Sequence, residues 1–580
     1  MDGRKDDDPR IIDDVPRRLF AAPRGTGMDA AMSVVAAERG LAEKAAANGT
    51  AAKESAGKMA GVPKGDADSK PAKPKPKGLL PFTVITICYL LFTVTDGAMR
   101  MIVLMHAYTA GFSAMQVAIM FTLYELAGVV TNLAAGLAGA RWGIKCTLLT
   151  GLVLQLVSYG LLFGWQKDWP QAEAIIYVTV AQMFGGIAKD LTKLGGKTVT
   201  KLVTPEEKAT SLFKLVSGLT GWKNSLKGVG YFVGSALVGV RYELALGVMI
   251  ALIVIAMPIA LAGLDPRIGT ARKENAKWTD VFVTHNANLN WLSLARCFLF
   301  ASRDFWFEVP LPFFLRSPAC DGLGVAPCAL DAQCGAGAFC SLTGTNVSEL
   351  VGVCANSNVG GGCGGFGWER ITVGAILGAY IIVYGQCQSY TPQLVIGPLR
   401  QTPPNKLTEV LWGLINCVPT AVMAAVAWAY STASAADAAN SSSAVVVWLM
   451  STLVVFAVIF AINSSIHSFL VVHYAKAEKI ATSVGFYYMS NAVGRLLGTL
   501  GSGVLYTYTG VDRGALAGTD ALRGLAVCFI AGTISSLLAA VITLKIQDEA
   551  AGLRCGPCWV CIKPLVEPDP STLEDAATTE

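Results

Sequence analysis

Charge is scarce in this chain. Of its 580 residues only 15% are Asp, Glu, Lys or Arg, while 53% are hydrophobic. That shortage excludes an ordinary string of soluble domains, in which about a quarter of the residues are charged. The N-terminal stretch "MDGRKDDDPRIIDD" lacks the basic start, apolar run and small-residue cleavage site of a signal peptide, and its acids set it apart from an Arg-rich transit peptide. Nucleotide-cradling loops, nucleophile triads and catalytic metal spacings are also lacking, so neither an enzyme nor a cofactor is expected. No nucleic-acid partner is expected either.

What the sequence has in quantity is long apolar runs. A bilayer core of about 30 Å takes roughly 20 apolar residues per helix. Runs of this kind lie near 80–103, 113–139, 145–165, 171–191, 209–239 and 243–263, and, after the polar break "LDPRIGTARKENAKWTD", near 291–315, 370–396, 408–430, 444–472, 481–508 and 522–545. Two sets of six around a polar loop is the organisation of a major facilitator transporter. The expectation is an all-α membrane protein with a twelve-helix major facilitator fold in two six-helix halves, 79–263 and 291–545. A cytosolic loop at 264–290 joins them, a disordered cytosolic tail covers 1–78 with the extended run "KPAKPKPKG", and a second cytosolic tail covers 546–580.

Short cytosolic loops accumulate Lys and Arg. With the amino terminus inside, the inner loops hold Arg141 and Lys145, Lys193 to Lys208, Arg267 to Lys277, Arg400 and Lys406, and Lys476 and Lys479, while loops 104–112 and 432–443 hold none. This orientation puts an inserted Gly-rich segment, 316–369, outside, where disulfides persist. It carries Cys320, Cys328, Cys334, Cys340, Cys354 and Cys363, six candidates whose pairing the sequence leaves open, and the sequon at Asn346, a glycosylation candidate in a secretory lumen. A passive ornament is a simpler reading than a ligand-binding lid, and zinc is disfavoured because no tight paired CxxC occurs there. In the carboxyl tail, Cys555, Cys558 and Cys561 stand at CxxCxxC spacing. Three thiolates could hold a thiophilic metal or trivalent arsenic, accept palmitate, or simply belong to a tail.

The few charges that fall inside the spans draw attention because each costs about 2.5 to 3.5 kcal/mol at a helix centre. They are Asp96, Arg100, Glu125, Lys189, Asp190, Lys223, Lys227, Arg303, Asp304, Glu308 and Arg495. Asp96 with Arg100, and Asp304 with Glu308, are spaced to share a helical face, which suits an internal ion-pair network. Lys223 and Lys227 share a face with no acid in their own segment, so an anion or an acid on another helix must relieve them. Asn224 lies beside them. Gly228, Gly230 and Gly234 nearby read as packing devices. Glu125 stands as an isolated carboxylate that could carry a proton or bond a neighbouring helix, and His467 in "NSSIHSF" could titrate or be simply hydrogen-bonded. The Asn463 sequon falls within a span and is not expected to carry sugar.

Seven blocks in order, "TDGAMRM" (95–101), "YELAGVVTNLAAGLAGARWG" (124–143), "GGIAKDLTKLGGKT" (185–198), "LTGWKNSLKGVGYFVG" (219–234), "RDFWF" (303–307), "NSSIHSF" (463–469) and "GFYYMSNAVGRLLGTLGSG" (485–503), resemble the ArsJ organoarsenical-efflux family of major facilitators. The resemblance covers about 80–545 and omits both tails and the Cys-rich insertion. The general facilitator loop motif G-x-L-A-D-R-x-G-R-K is degenerate: Gly136, Arg141, Gly143 and Lys145 match, while Ala140 and Ile144 replace the acid and a base, which puts the usual charge-relay gating at this loop in doubt.

The resemblance implies efflux of 1-arseno-3-phosphoglycerate, formed when glyceraldehyde-3-phosphate dehydrogenase takes arsenate in place of phosphate, and hence arsenate detoxification in functional partnership with that enzyme. A small anionic substrate would meet Arg100, Lys223, Asn224, Lys227, Arg303 and Arg495 in an alternating-access exporter. Asp96, Glu125, Lys189, Asp190, Asp304 and His467 are the candidates for proton coupling or gating. A monomer in the plasma membrane, or alternatively the vacuolar membrane, is expected. Two other readings stay open: a carrier of another phosphorylated organic anion, and, from a different class, a non-transporting membrane sensor or receptor built on the two Cys-rich additions.

Overall fold

In a computed structural model, the structure describes residues 80–166, 169–203, 209–264, 286–317, 327–328, 338–342, 352–356, 365–431, 435–475, 480–509, 520–547, 552–556 and 558–561. The expected amino-terminal tail, residues 265–285 of the central loop, and Cys320, Cys334, Cys363 and Asn346 lie outside them.

The first half comprises α1 (Leu80–Thr109), α2 (Ala114–Met120), α3 (Thr122–Phe163), α4 (Gln171–Val203), α5 (Ala209–Val240) and α6 (Tyr242–Gly263). The second comprises α7 (Ala287–Phe307), α8 (Pro310–Arg316), α9 (Arg370–Thr391) with a π-helical extension Pro392–Ile396, α10 (Lys406–Ser431), α11 (Ala435–Tyr474), α12 (Ile480–Thr509) and α13 (Asp520–Thr543). Nine segments among the described residues are long and apolar enough to cross a membrane. The helices α5, α7 and α12, which complete the twelve spans, are not among those nine, and they carry Lys223, Lys227, Arg303 and Arg495. At the other extreme, α6 is among the most apolar segments, yet only a third of it is buried. Ile176, Val254, Val447 and other large apolar side chains are likewise exposed, as a lipid-facing surface requires.

Three departures from the expected spans have local causes. Helical bonding in α3 runs through the break expected at 140–144, a stretch with no proline to stop it. The span expected at 291–315 is interrupted instead, at Glu308 and Val309, because Pro310 and Pro312 follow and the residue before a proline is driven from the α region. This break sets the Glu308 carboxylate at the end of α7. Finally, the chain is not purely helical. The insertion contributes an antiparallel sheet of β1 (Pro327–Cys328), β3 (Gly352–Asn356) and β2 (Ala338–Leu342), in that order, whose register opposes Cys340 to Cys354. The carboxyl tail forms a hairpin of β4 (Leu553–Cys555) and β5 (Cys558–Cys561). It is pinned to the loop after α9 by the Gly556 N–H donating to Leu399 O at 3.0 Å and the Gln401 amide donating to Arg554 O at 2.8 Å.

Helix α5 is wedged between the two halves. A Cβ on Gly230 would lie 2.2 Å from Val94 O, and one on Gly234 2.7 Å from Ala98 O, both on α1. On the other side, a Cβ on Gly228 would lie 2.6 Å from Gly378 O of α9. The packing role expected of these glycines is what the structure shows. Across the interface, α12 meets α2 and α3, where Gly503 faces Ala118 and Met115 and Gly485 faces Asn132 O. Inside the second half an aromatic hub holds α7: the buried Trp306 ring packs edge-on against Phe456 at 5.0 Å, and Phe307 sits 4.6 Å from Tyr380.

The backbone carbonyl of Val94 cannot rotate away as a side chain can. Gly230→Ala is therefore expected to destabilise the protein by about 1–3 kcal/mol, read as a lower midpoint in thermal unfolding of the detergent-solubilised chain. Gly239→Ala, in the same helix with open space around it, should leave the midpoint unchanged or raise it.

Candidate functional site

The charges that the sequence scatters over five helices converge on one buried cluster. Glu308 accepts from Arg100 Nη1 of α1 at 2.9 Å and from Arg495 Nη2 of α12 at 3.0 Å, and lies 3.6 Å from Arg303 Nη2. The Tyr231 hydroxyl of α5 donates to it at 3.2 Å. Glu125 of α3 pairs with Arg100, with Arg495 Nη2 at 3.0 Å and with Lys189 Nζ of α4 at 3.7 Å. Asp304 takes Arg303 Nη2 at 2.5 Å and Arg495 Nε at 3.0 Å. All three carboxylates are buried. The Arg100 guanidinium also lies over the rings of Phe121 and Tyr124, at 5.0 and 4.8 Å, and Lys189 Nζ over Tyr124 at 4.0 Å.

This cluster corrects one expectation. Glu125 is not an isolated carboxylate, because three cations surround it. Arg100, Arg303 and Arg495, expected as substrate ligands, already have carboxylate partners within the protein. The internal ion-pair network accounts for them, although its partners differ from the same-helix spacing: Arg100 reaches α7 and α3, and Asp96 instead accepts a hydrogen bond from the Tyr124 hydroxyl. Asp190 lies 3.4 Å from Lys193 Nζ, which is also 3.4 Å from Asn132 Oδ1 and 4.0 Å from the centroid of the Tyr488 ring.

Lys223 and Lys227 remain. Both are half-buried, and among the described residues neither makes an ion pair. Glu125 is committed to Arg100, Arg495 and Lys189, Asp190 to Lys193, and Asp304 to Arg303 and Arg495, while Asp96, which accepts from the Tyr124 hydroxyl and makes no ion pair among the described residues, is a remaining acid whose charge acts on both lysines. Lys227 Nζ lies 5.6 Å from the Tyr231 ring centroid, and its backbone presses against α1, where a Cβ on Gly97 would meet Lys227 O at 2.4 Å. The lysines thus stand beside a network in which four cations already face three carboxylates. Asp96 balances that single surplus charge, so the two lysines themselves make the region net positive. Asn224 donates to Gln388 Oε1 of α9 at 2.7 Å, so it links the halves.

A second polar cluster lies within the carboxyl half. His467 Nε2 is 2.8 Å from Glu409 Oε1 of α10. With its amide nitrogen turned towards that carboxylate, Asn463 donates to it at 2.6 Å and accepts from Gly413 N at 3.1 Å. Asn463 is buried in α11, as its span position implied. Arg296 of α7, also buried, donates to Ser464 Oγ at 3.3 Å. Sequence reasoning missed Arg296 and Glu409. Arg296 carried the same signal as the others, a charge within an apolar span. Glu409 sits at the edge of its span and gave none. In the carboxyl tail, Cys555 and Cys558 are exposed free thiols opposed across the hairpin, and the Cys561 side chain lies outside the described residues. No group of three His, Cys, Asp or Glu placed to hold a metal occurs among the described residues.

Removing one partner from a buried ion pair leaves a charge uncompensated, at a cost of roughly 3–5 kcal/mol. Glu308→Gln is expected to lower thermal stability by that order. A cycle with Arg100→Gln should show coupling, the double variant being less destabilised than the sum of the single ones, as measured by unfolding in detergent.

No protein-family model and no curated protein matches the chain, so the ArsJ resemblance rests on its sequence blocks alone. Solved structures do match. The nucleoside transporter NupG, in a mutant form, aligns with a TM-score of 0.51 at 11% identity over 81% of this chain and 100% of its own. A bacterial homologue of the iron transporter ferroportin, in its outward-facing state, aligns with a TM-score of 0.50 at 13% identity over 80% of this chain and 98% of its own. Together with the apolar spans, these likenesses show a multi-pass membrane protein with the twelve-helix major facilitator fold.

Proposed function

We propose that this protein is a secondary transporter that carries a small organic polyanion by alternating access. The observation that carries the reading is the pair Lys223 and Lys227, half-buried on one face of α5 beside a network whose three carboxylates are already paired, so that two lysines face only the single remaining acid Asp96. Cations in a membrane interior need a counter-charge, and a phosphate or carboxylate supplies it through charge-assisted hydrogen bonds. The ion pairs Arg100–Glu308 and Arg495–Glu125 join the amino half to the carboxyl half. An anion arriving at the lysines alters the field on those pairs, and rocking of the halves requires them to break and re-form.

The likeness to NupG and to the ferroportin homologue supports the fold and leaves the cargo open; the lysine pair favours an anion over a neutral nucleoside or a metal cation. Within that class the seven sequence blocks favour export of 1-arseno-3-phosphoglycerate made by glyceraldehyde-3-phosphate dehydrogenase, from a monomeric carrier in the plasma membrane. Another phosphorylated organic anion fits the same lysines.

The test is uptake into vesicles containing the purified protein. Each charge-assisted hydrogen bond is worth about 1.5–3 kcal/mol, or roughly tenfold and more in affinity, so Lys223→Ala and Lys227→Ala should each reduce transport of phosphoglycerate by about that factor without loss of protein from the membrane. Normal transport by both variants would overturn the site. Arsenate accumulation in vesicles supplied with the dehydrogenase, its substrates and arsenate decides the finer substrate, and competition by phosphoglycerate alone would point to the broader one.

A further inference from the structure

Arg296 is 3% exposed and makes no ion pair among the described residues. Its guanidinium carbon lies 4.0 Å from the Phe300 ring centroid and 5.2 Å from that of Tyr487, and its Nε has no hydrogen-bond partner. Glu409, the acid of the neighbouring cluster, is held by His467 and Asn463 instead. Among the described residues the one hydrogen bond of Arg296 goes to Ser464 Oγ, and that oxygen is crowded: Gln388 Nε2 at 3.3 Å and the Tyr384 hydroxyl at 3.2 Å lie against it as well. A serine hydroxyl has two lone pairs, which Gln388 and Arg296 fill, so Ser464 has none left for the unpartnered Arg296 Nε. Two further donors near by are buried without partners, the Tyr487 hydroxyl and Ser293 Oγ, one turn before Arg296 on α7. Surplus donors around a buried cation are the complement of an anionic oxygen group.

This cluster is joined to the lysine site. Asn224, next to Lys223, donates to Gln388, and Gln388 and Arg296 both donate to Ser464. The polar wall therefore runs from α5 of one half, through α9 and α11, to α7 of the other.

We infer that Arg296 is a second anion anchor, so that the substrate carries two separated anionic groups, one held by Lys223 and Lys227 on the amino half and the other by Arg296 on the carboxyl half. This rests on the anion-transporter reading above. Such a molecule bridges the halves, and a carboxylate or phosphate at its far end is gripped by the guanidinium fork, while Tyr384, Gln388 and Tyr487 supply the remaining donors. Discrimination between one and two anionic groups then falls to Arg296.

The experiment is equilibrium binding to the purified full-length protein in lipid nanodiscs, with two probes: 3-phosphoglycerate, which has a phosphate and a carboxylate, and glycerol 3-phosphate, which has the phosphate alone. The wild-type protein should bind the first at least about tenfold more tightly, the yield of one charge-assisted contact. Arg296→Gln should collapse that ratio to near one, whereas Lys223→Gln should weaken both probes. Arg296→Lys, which keeps the charge and the fold but loses the fork, should also reduce the ratio, and it decides the matter if the glutamine variant does not fold. An unchanged ratio in a folded Arg296 variant, or equal weakening of both probes, overturns the second anchor and leaves the lysine site standing. Failure of both probes to bind wild-type protein overturns the anion reading itself.

Discussion

Glu308 receives arginines from both halves of the molecule. Arg100 approaches from α1 and Arg495 from α12, and the same two arginines meet again at Glu125. Two carboxylates, one from each half, are thus each bridged by two guanidinium groups, one from each half. In a membrane interior this arrangement is the condition for keeping so many charges: isolated, each would be expelled or neutralised, and together they satisfy one another. Because two of these four links, Arg100–Glu308 and Arg495–Glu125, cross between the halves, the cluster is also the contact that a rocking motion must disturb.

The rest of the structure serves that cluster. The proline-enforced break after Phe307 sets Glu308 at a helix end. The aromatic hub around Trp306 holds α7 in rotation, so that Arg303 and Asp304 face inward. The glycines of α5 admit the backbones of α1 and α9 at a spacing no side chain would permit, and this close approach brings Lys227 against Gly97, between Asp96 and Arg100 in the chain. Packing and electrostatics are coupled here: the small residues allow the helices to touch, and their touching lets the charges pair. The arginines take Glu125, Asp304 and Glu308, and Lys223 and Lys227 make no ion pair among the described residues.

The twelve spans were legible because apolar length is a local property, and the packing role of Gly228, Gly230 and Gly234 was legible because small residues at helical spacing have few other uses in a membrane. The charged side chains were legible as a set, each being costly wherever it lies. Their partners were not. Helical spacing suggested Asp96 for Arg100, yet Arg100 pairs with residues 25 and 208 positions away. Glu125 read as isolated because its three cations come from other helices. Glu409 escaped notice because a charge at a span edge resembles any interfacial residue, and only the packing of α10 on α11 places it against His467.

The sequence by itself determined that the chain crosses a membrane many times, about where the apolar spans lie and that most of the charges within them must be sheltered, since hydropathy and the cost of burying an ion are set residue by residue. Tertiary structure alone decided which of those charges are paired with one another within the protein. Pairing depends on distances between helices far apart in the chain, so Arg100, Arg303 and Arg495, which in sequence look like the equals of Lys223 and Lys227, pair with carboxylates, while the two lysines and the unpredicted Arg296 make no ion pair among the described residues.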